Sequence, residues 1–205
     1  MQHVHRETWL ADLRDRYLKT YFLGQGYTIP ANVRIGVGWP SRGGLGKKKR
    51  VIGQAWSNEC SEDQTHEVII SLYLADPIKV VEVTIHELIH CTIGTEHGHR
   101  KPFSDACQKL GLVKPWTATS PSPELVALAS TWIAALGPYP HAKLDGFQKK
   151  TEATRMLLME CVDCGLKIRT TQKWIDQHGI KWPCPCGGHL IHGDEDEEPI
   201  SDGDE

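Results

Sequence analysis

Two histidines and a glutamate lie within one short segment, His86-Glu87-Leu88-Ile89-His90, which forms an HExxH motif. In a helix, positions i and i+4 are one turn apart and about 40° apart around the axis, so both imidazoles reach one ion. The glutamate lies beside them and can accept a proton from water at that ion. Because zinc tolerates three protein ligands and an open position for water, the motif predicts a catalytic zinc site.

A third ligand has to come from outside the motif. The segment GTEHGHRKPF at 94–103 offers three candidates, Glu96, His97 and His99. The metzincin pattern requires glycine at position 93 and histidine at position 96, where this chain has Ile93 and Glu96. Strict metzincin spacing therefore fails, and the residues by themselves leave the third ligand open.

Four of the seven cysteines form two close pairs, Cys161 with Cys164 and Cys184 with Cys186, and a glycine follows each pair. This pattern indicates a zinc ribbon with a structural four-cysteine site. The second pair is one residue shorter than the usual C-x-x-C, and His189 is an alternative ligand to either of its cysteines. A module of about 40 residues has little core, so we expect the metal to supply most of its folding energy.

The HExxH motif needs a helix, and its flanking residues predict where that helix begins and ends. Asp76 suits the N-cap, Pro77 suits the first turn, and Gly94 suits the C-terminal end. Most positions between them are apolar and several are β-branched, which lowers intrinsic helix propensity. Such a helix is stabilised by burial, so we expect it at the centre of the core.

Other elements are predicted around this helix from apolar periodicity and from turn residues. Helices are expected at 8–23, 102–110 and 122–136, and strands at 33–37, 51–56 and 66–74. A basic loop, Pro40–Arg50, separates the first two strands. In the cysteine module, β-type runs at 156–160 and 166–171 suit a ribbon.

Composition and cysteine spacing argue against a membrane-spanning protein and against a secreted one. The 205 residues are 40% hydrophobic and 24% charged, as in globular proteins, and no apolar stretch is long enough to cross a membrane. The N-terminus lacks the apolar segment of a secretion signal. An odd number of cysteines with metal-type spacing favours a reducing compartment. We therefore expect an intracellular, cytoplasmic protein without a membrane span, and a monomer.

The charge is unevenly distributed. Residues 194–205 hold eight of the 26 acidic residues and none of the 23 basic ones, which leaves a net charge of about +5 on the rest. We expect this segment to be a disordered acidic tail, and the basic remainder is compatible with a polyanionic partner. The basic patch Arg42–Arg50 is one candidate contact with the phosphates of nucleic acid, and a solvated hairpin tip is the alternative. In the ribbon, four basic residues accompany two tryptophans that could stack on bases or complete a small core: Lys167, Arg169, Lys173, Lys181, Trp174 and Trp182.

The chain resembles the SprT-like metalloproteases, which include the Spartan-type DNA-dependent proteases. In that family an HExxH helix is followed, after a variable loop, by a histidine, three residues and a phenylalanine that opens the next helix. The corresponding residues are the motif at 86–90 and His99-Arg100-Lys101-Pro102-Phe103. The segment Gln54-Ala55-Trp56-Ser57 is also similar to the family, as is the C-terminal cysteine ribbon. The resemblance covers about residues 5–192 and implies His99 as the third ligand.

The resemblance implies an α+β fold with two domains and a tail. Residues 1–145 are expected to form a small zincin-like metalloprotease domain, with a short sheet packed on the buried HExxH helix. Residues 146–193 are expected to form the β-type zinc ribbon. Two zinc ions are expected, one catalytic and one structural.

The implied function is hydrolysis of peptide bonds in DNA-associated or DNA-crosslinked proteins, with Glu87 as general base. By analogy with other zincins, the strand around Glu67–Leu74 is expected to be a sheet edge that pairs with the substrate. The partners would then be a protein substrate and DNA, single-stranded or containing junctions. Two alternatives remain: a zinc-stabilised DNA-binding adaptor with an idle HExxH site, and a general intracellular peptidase without DNA dependence.

Overall fold

The chain divides into two compact units, residues 1–147 and 148–205. A computed structural model describes residues 3–46, 50–145 and 156–192. The predicted acidic tail at 194–205 and Lys47–Lys49 of the basic loop lie outside the described residues. The mixed α+β architecture predicted from the sequence is confirmed.

The first unit begins with the helical segment predicted at 8–23, which is longer and less regular than expected. It consists of α1 (Arg6–Leu13), a π-helical stretch (Arg14–Leu18) and α2 (Lys19–Gly24). Its apolar residues face the core, where the largest is Trp9, which is fully buried and donates its indole N–H to the Gly137 carbonyl at 3.0 Å.

A three-stranded sheet follows, built from β1 (Val33–Gly38), β2 (Gly53–Trp56) and β3 (His66–Ser71). The strand order is β1-β3-β2, with β1 parallel and β2 antiparallel to β3. The expectation that the strand around Glu67–Leu74 forms a sheet edge is therefore wrong. That strand is β3, and it lies in the middle of the sheet. It pairs with β1 on one side and with β2 on the other.

The HExxH helix is α3 (Pro77–Ile93), and it packs against β2 and β3 on one side and against other helices on the other. The elements that follow are a 3-10 turn (Thr95–His97), α4 (Lys101–Lys109), β4 (Leu112–Val113), β5 (Ser120–Pro121) and α5 (Pro123–Leu136). Every residue from 80 to 91 of α3 is buried. This confirms that the helix lies at the centre of the core.

The second unit contains a four-stranded antiparallel sheet in the order β7-β6-β9-β8. The strands are β6 (Leu157–Cys161), β7 (Lys167–Thr170), β8 (Lys181–Pro183) and β9 (His189–His192). A short helix, α6 (Gln172–His178), interrupts the strands and was not predicted. Only Ile175 of this helix is buried. The helix therefore lacks the repeated apolar positions from which a helix is predicted in a sequence.

Candidate metal centres

The geometry of the first centre begins with the boundaries of α3. The Asp76 carboxylate accepts hydrogen bonds from the backbone N–H groups of Ile78 at 3.2 Å and Lys79 at 3.3 Å, which satisfies donors that the helix leaves unpaired. Pro77 occupies the first turn, and Gly94 ends the helix with φ of 99°, a conformation that favours glycine. The local residue types thus place His86 and His90 on one face, one turn apart.

His99 joins these two histidines from the loop before α4. Its Nε2 atom lies 3.3 Å from Nε2 of His86, and its ring centroid lies 5.0 Å from that of His90. The three residues each offer a ring nitrogen within 4.8 Å of the others. Phe103, which is fully buried, packs under all three rings with centroid distances of 4.3 to 4.9 Å.

The competing ligands suggested by the sequence lie elsewhere. Among the described residues, His97 and Glu96 do not belong to this cluster, and the imidazole of His97 lies 3.6 Å from the Glu96 carboxylate instead. Gly98, with φ of 51°, turns the chain between His97 and His99. This turn separates the two histidines, and it is His99 that reaches the cluster.

Two of the three histidines have ring nitrogens at a separation that fits a tetrahedral ion. With metal–nitrogen distances of about 2.0–2.1 Å, a tetrahedral site places two ligand nitrogens about 3.3 Å apart. The separation of His86 Nε2 and His99 Nε2 is 3.3 Å. Burial lowers the pKa of His86 to about 3 and that of His90 to about 4, so both rings are neutral near pH 7, the form that binds metals.

Glu87 lies beside the cluster, under strand β2. Its side chain is largely buried, and its carboxylate accepts a hydrogen bond from the backbone N–H of Ala55. Burial raises the pKa of Glu87 to about 8; the negative charge of Glu82 adds to this shift, and the Ala55 hydrogen bond opposes it. A divalent cation at the three histidines would favour the charged carboxylate.

Strand β2 approaches Glu87 closely because residue 53 is a glycine. A Cβ atom at Gly53 would collide with the Glu87 side chain and would lie 2.6 Å from Cγ1 of Val83. The cleft between β2 and α3 has a volume of about 520 Å³, and it contains the three histidines together with Glu87. Arg50 lines the same cleft, where its guanidinium carbon lies 3.7 Å from the centroid of the Tyr73 ring.

Three residues near this site were missed by sequence reasoning. Thr119 Oγ1 lies 3.0 Å from Nδ1 of His86 and donates to Oε1 of Glu82 at 2.5 Å. Lys79 forms an ion pair with Glu82 and donates to the Thr119 carbonyl at 3.1 Å. Glu82 could have been noticed as a second acid in an apolar helix, one turn before His86. Thr119 gives no signal in the sequence.

The second centre contains the four predicted cysteines. Their sulfur atoms all lie within 4.8 Å of one another. The Sγ atoms of Cys161 and Cys186 are 3.6 Å apart, as are those of Cys164 and Cys184. A tetrahedral site with metal–sulfur distances of about 2.3 Å places two sulfurs about 3.8 Å apart. The shorter spacing of the second pair therefore does not prevent a four-sulfur cluster.

The alternative ligand His189 does not belong to the cysteine cluster in the described part of the chain. It lies in β9, opposite Pro183 of β8. The nearby His192 donates from its Nδ1 to the Leu158 carbonyl at 2.9 Å. Tight turns with glycine at positive φ, Gly165 at 71° and Gly187 at 92°, shape the two cysteine loops instead.

An aromatic cleft of about 720 Å³ lies on the second unit. The Trp174 ring is exposed and stacks on His178, with centroids 5.3 Å apart and an interplanar angle of 18°. Trp182, Arg169 and Lys181 line the same cleft. Trp182 also packs against the small core of the unit, as one of the two interpretations of the tryptophans predicted.

Comparisons with family models, with curated proteins and with solved structures found no match to this chain. Among the described residues, no helix has both the length and the apolar character needed to span a membrane. Within residues 3–46, 50–145 and 156–192, two clusters are able to hold a metal ion, one of three histidines and one of four cysteines.

Proposed function

We propose that this chain is a zinc-dependent endopeptidase of the SprT-like type. The observation that carries the proposal is the convergence of His86, His90, His99 and Glu87 in one cleft beside a sheet edge. Three imidazole donors, two of them with nitrogens 3.3 Å apart, favour zinc, and three protein ligands leave one position for water. The four cysteines are a set of soft donors that zinc binds in structural sites, so two zinc ions per chain are expected.

When bound at the histidines, the ion polarises the scissile carbonyl and lowers the pKa of the attacking water. Glu87 accepts the proton of that water and delivers it to the leaving amine. The Ala55 N–H holds the carboxylate in place for both transfers. Burial of Glu87, which favours the protonated form, helps the side chain to retain the proton between the two steps.

The substrate is proposed to bind along β2. This strand is an edge of the described sheet, and its backbone already contacts Glu87 through Ala55. An extended peptide can add to such an edge through main-chain hydrogen bonds. A peptide bound in this way would pass the cleft that contains the three histidines, and β2 would take the role that the sequence predicts for β3.

The catalytic role of Glu87 is tested by Glu87→Gln, which keeps the shape of the side chain and removes the proton acceptor. We expect zinc to stay bound and hydrolysis of an unfolded protein substrate to fall by at least about 10²-fold. Glu62→Gln, at an exposed position, is the matched control and should have the activity of the parent. Full activity of Glu87→Gln would refute the mechanism.

Metal analysis separates the two sites. Protein prepared without added metal should contain two zinc ions per chain, and His86→Ala should contain one. One zinc in the parent would contradict the two-site proposal. Two zincs in a parent with no hydrolytic activity would favour the rival function, a DNA-binding adaptor with an idle HExxH site.

The second unit is proposed to bind single-stranded DNA through its aromatic cleft. The exposed Trp174 ring offers a stacking surface, and Arg169 and Lys181 in the same cleft offer charges for phosphates. The proposed substrates are therefore proteins bound or crosslinked to DNA. A general peptidase without DNA dependence is the alternative, and it predicts equal proteolysis with and without DNA.

This proposal is tested by titrating labelled single-stranded DNA over a salt series. Trp174→Ala should weaken binding by about 1–3 kcal/mol, the contribution of one stacked base, at every salt concentration. Leu166→Ala, at another exposed apolar position of the same unit, should leave affinity unchanged. Affinity that does not fall with salt, or equal affinity of Trp174→Ala and the parent, would contradict DNA binding at this cleft.

A further inference from the structure

A chain of buried hydrogen bonds leads away from His86. Its Nδ1 atom lies 3.0 Å from Thr119 Oγ1, and Thr119 Oγ1 lies 2.5 Å from Glu82 Oε1. Thr119 and Glu82 are each only 2% exposed, so water does not substitute for these contacts. Burying a carboxylate inside an apolar helix is costly unless it is paired. A buried series of hydrogen bonds that ends on Glu82 therefore points to a role for this carboxylate.

The chemistry of the groups sets the direction of each hydrogen bond. The Glu82 carboxylate oxygen, in the side chain that pairs with Lys79, accepts the single hydroxyl proton of Thr119. The Thr119 oxygen is then an acceptor, and Nδ1 of His86 must carry the proton that it donates to it. This tautomer leaves the lone pair of His86 on Nε2, the atom that lies 3.3 Å from His99 Nε2 in the histidine cluster.

Lys79 fixes the other end of the chain. Its ammonium group pairs with Glu82 and also donates to the Thr119 carbonyl at 3.1 Å. Lys79, Glu82 and His86 are spaced by three and four residues along α3, so they share one face of the helix. The loop before β5, which contains Thr119, is thereby held against the helix by both its side chain and its backbone.

The three histidines are held in different ways. Among the described residues, neither His90 nor His99 has a hydrogen-bonded side-chain partner outside the cluster. Their rings are positioned by packing on Phe103. Of the three histidines, His86 is thus the one whose ring is oriented by a hydrogen-bonded side chain in the described part of the protein.

We infer that Thr119 and Glu82 are positioning residues, which hold His86 in the Nδ1–H tautomer with Nε2 directed at the metal ion. This inference rests on the proposed zinc site. Hydrogen-bonded partners behind a ligating histidine orient the ring and raise its basicity, and their loss typically weakens metal affinity by about 10- to 100-fold.

The test uses the full chain and two variants of one residue. Thr119→Val keeps the shape of the side chain and removes the hydroxyl, whereas Thr119→Ser keeps the hydroxyl. Zinc affinity is measured by competition with a chromophoric chelator, and His86→Ala provides the baseline for the four-cysteine site alone. Thr117→Val, an exposed position on the same loop, is the control for a general effect of the substitution.

We expect Thr119→Val to lose about 10- to 100-fold in zinc affinity at the histidine site, with Thr119→Ser and Thr117→Val close to the parent. Parent-like affinity of Thr119→Val would overturn the inference. So would an equal loss in Thr119→Ser, because the hydroxyl would then not be the group that matters.

A second measurement does not depend on how well a variant folds. Long-range ¹⁵N–¹H correlation spectra of the full chain report which ring nitrogen of His86 carries the proton. The Nδ1–H form is expected, and the Nε2–H form would overturn the inference. If the parent binds no more zinc than His86→Ala, the proposed function fails, while the spectrum still decides separately whether the hydrogen-bonded chain has the stated direction.

Discussion

The histidine cluster and the cysteine cluster, each able to hold a metal ion, lie in units with very different cores. The histidine cluster belongs to a unit with an extensive apolar core, which includes fully buried Trp9, Phe22 and Phe103. The core of the cysteine unit consists of Met159, Cys161, Cys184 and Leu190, and two of these four belong to the metal cluster itself. In the first unit the fold positions the ligands, whereas in the second the ligands are a large part of the core.

This difference determines what a metal ion contributes in each unit. Removing an ion from a site on a helix that is already capped and buried costs binding but leaves the apolar core in place. Removing an ion from a unit with almost no core removes most of its folding energy. This difference agrees with the proposal of a catalytic ion at the histidines and a structural ion at the cysteines.

The largest effect is expected from losing a cysteine ligand. Cys184→Ser should unfold the second unit, because structural zinc contributes about 10–16 kcal/mol of apparent binding energy in such modules. Hydrogen exchange on the full chain should show lost protection in β6–β9 and unchanged protection in α3. His86→Ala is the matched variant and should leave both units protected. Retained protection of β6 in Cys184→Ser would break the comparison.

A smaller effect is expected from truncating the side chain beneath the histidines. Phe103→Ala should destabilise the first unit by about 3–5 kcal/mol, since it deletes a fully buried aromatic ring that contacts all three ligands. Urea denaturation followed by tryptophan fluorescence measures the change, and Phe103→Leu should cost less. A loss below about 1 kcal/mol would mean that the core does not support the histidine cluster as described.

The smallest effect is expected at the N-cap of α3. Asp76→Ala removes the acceptor for two backbone N–H groups and should cost about 1 kcal/mol of stability in the first unit. Asp76→Asn keeps a side-chain oxygen and should retain most of it. Thermal unfolding of both variants sharpens the comparison, because neither should alter the zinc content of the cysteine unit. Equal stability of Asp76→Ala and the parent would contradict the capping role.

Local chemistry was enough to predict the elements that carry the ligands. The capping aspartate, the proline in the first turn and the glycine at position 94 mark the ends of α3, and the i, i+4 spacing follows from helix geometry. The cysteine pairs indicate their own cluster because each pair is joined by only one or two residues. These features depend only on residues that are close in the sequence, so they can be predicted from the sequence without the fold.

Contacts between segments that are distant in the sequence could not be predicted from local residue patterns. The sheet order places β3 in the centre because β1 pairs with it from 33 residues away, and no periodicity reports which strand is inside. Thr119 lies 33 positions after His86, and its hydroxyl reaches the His86 ring only because its loop packs on α3. Gly53 permits the approach of β2 to Glu87. Each depends on closing a long loop, so long-range packing of the chain, not a local pattern, sets the surroundings of the site.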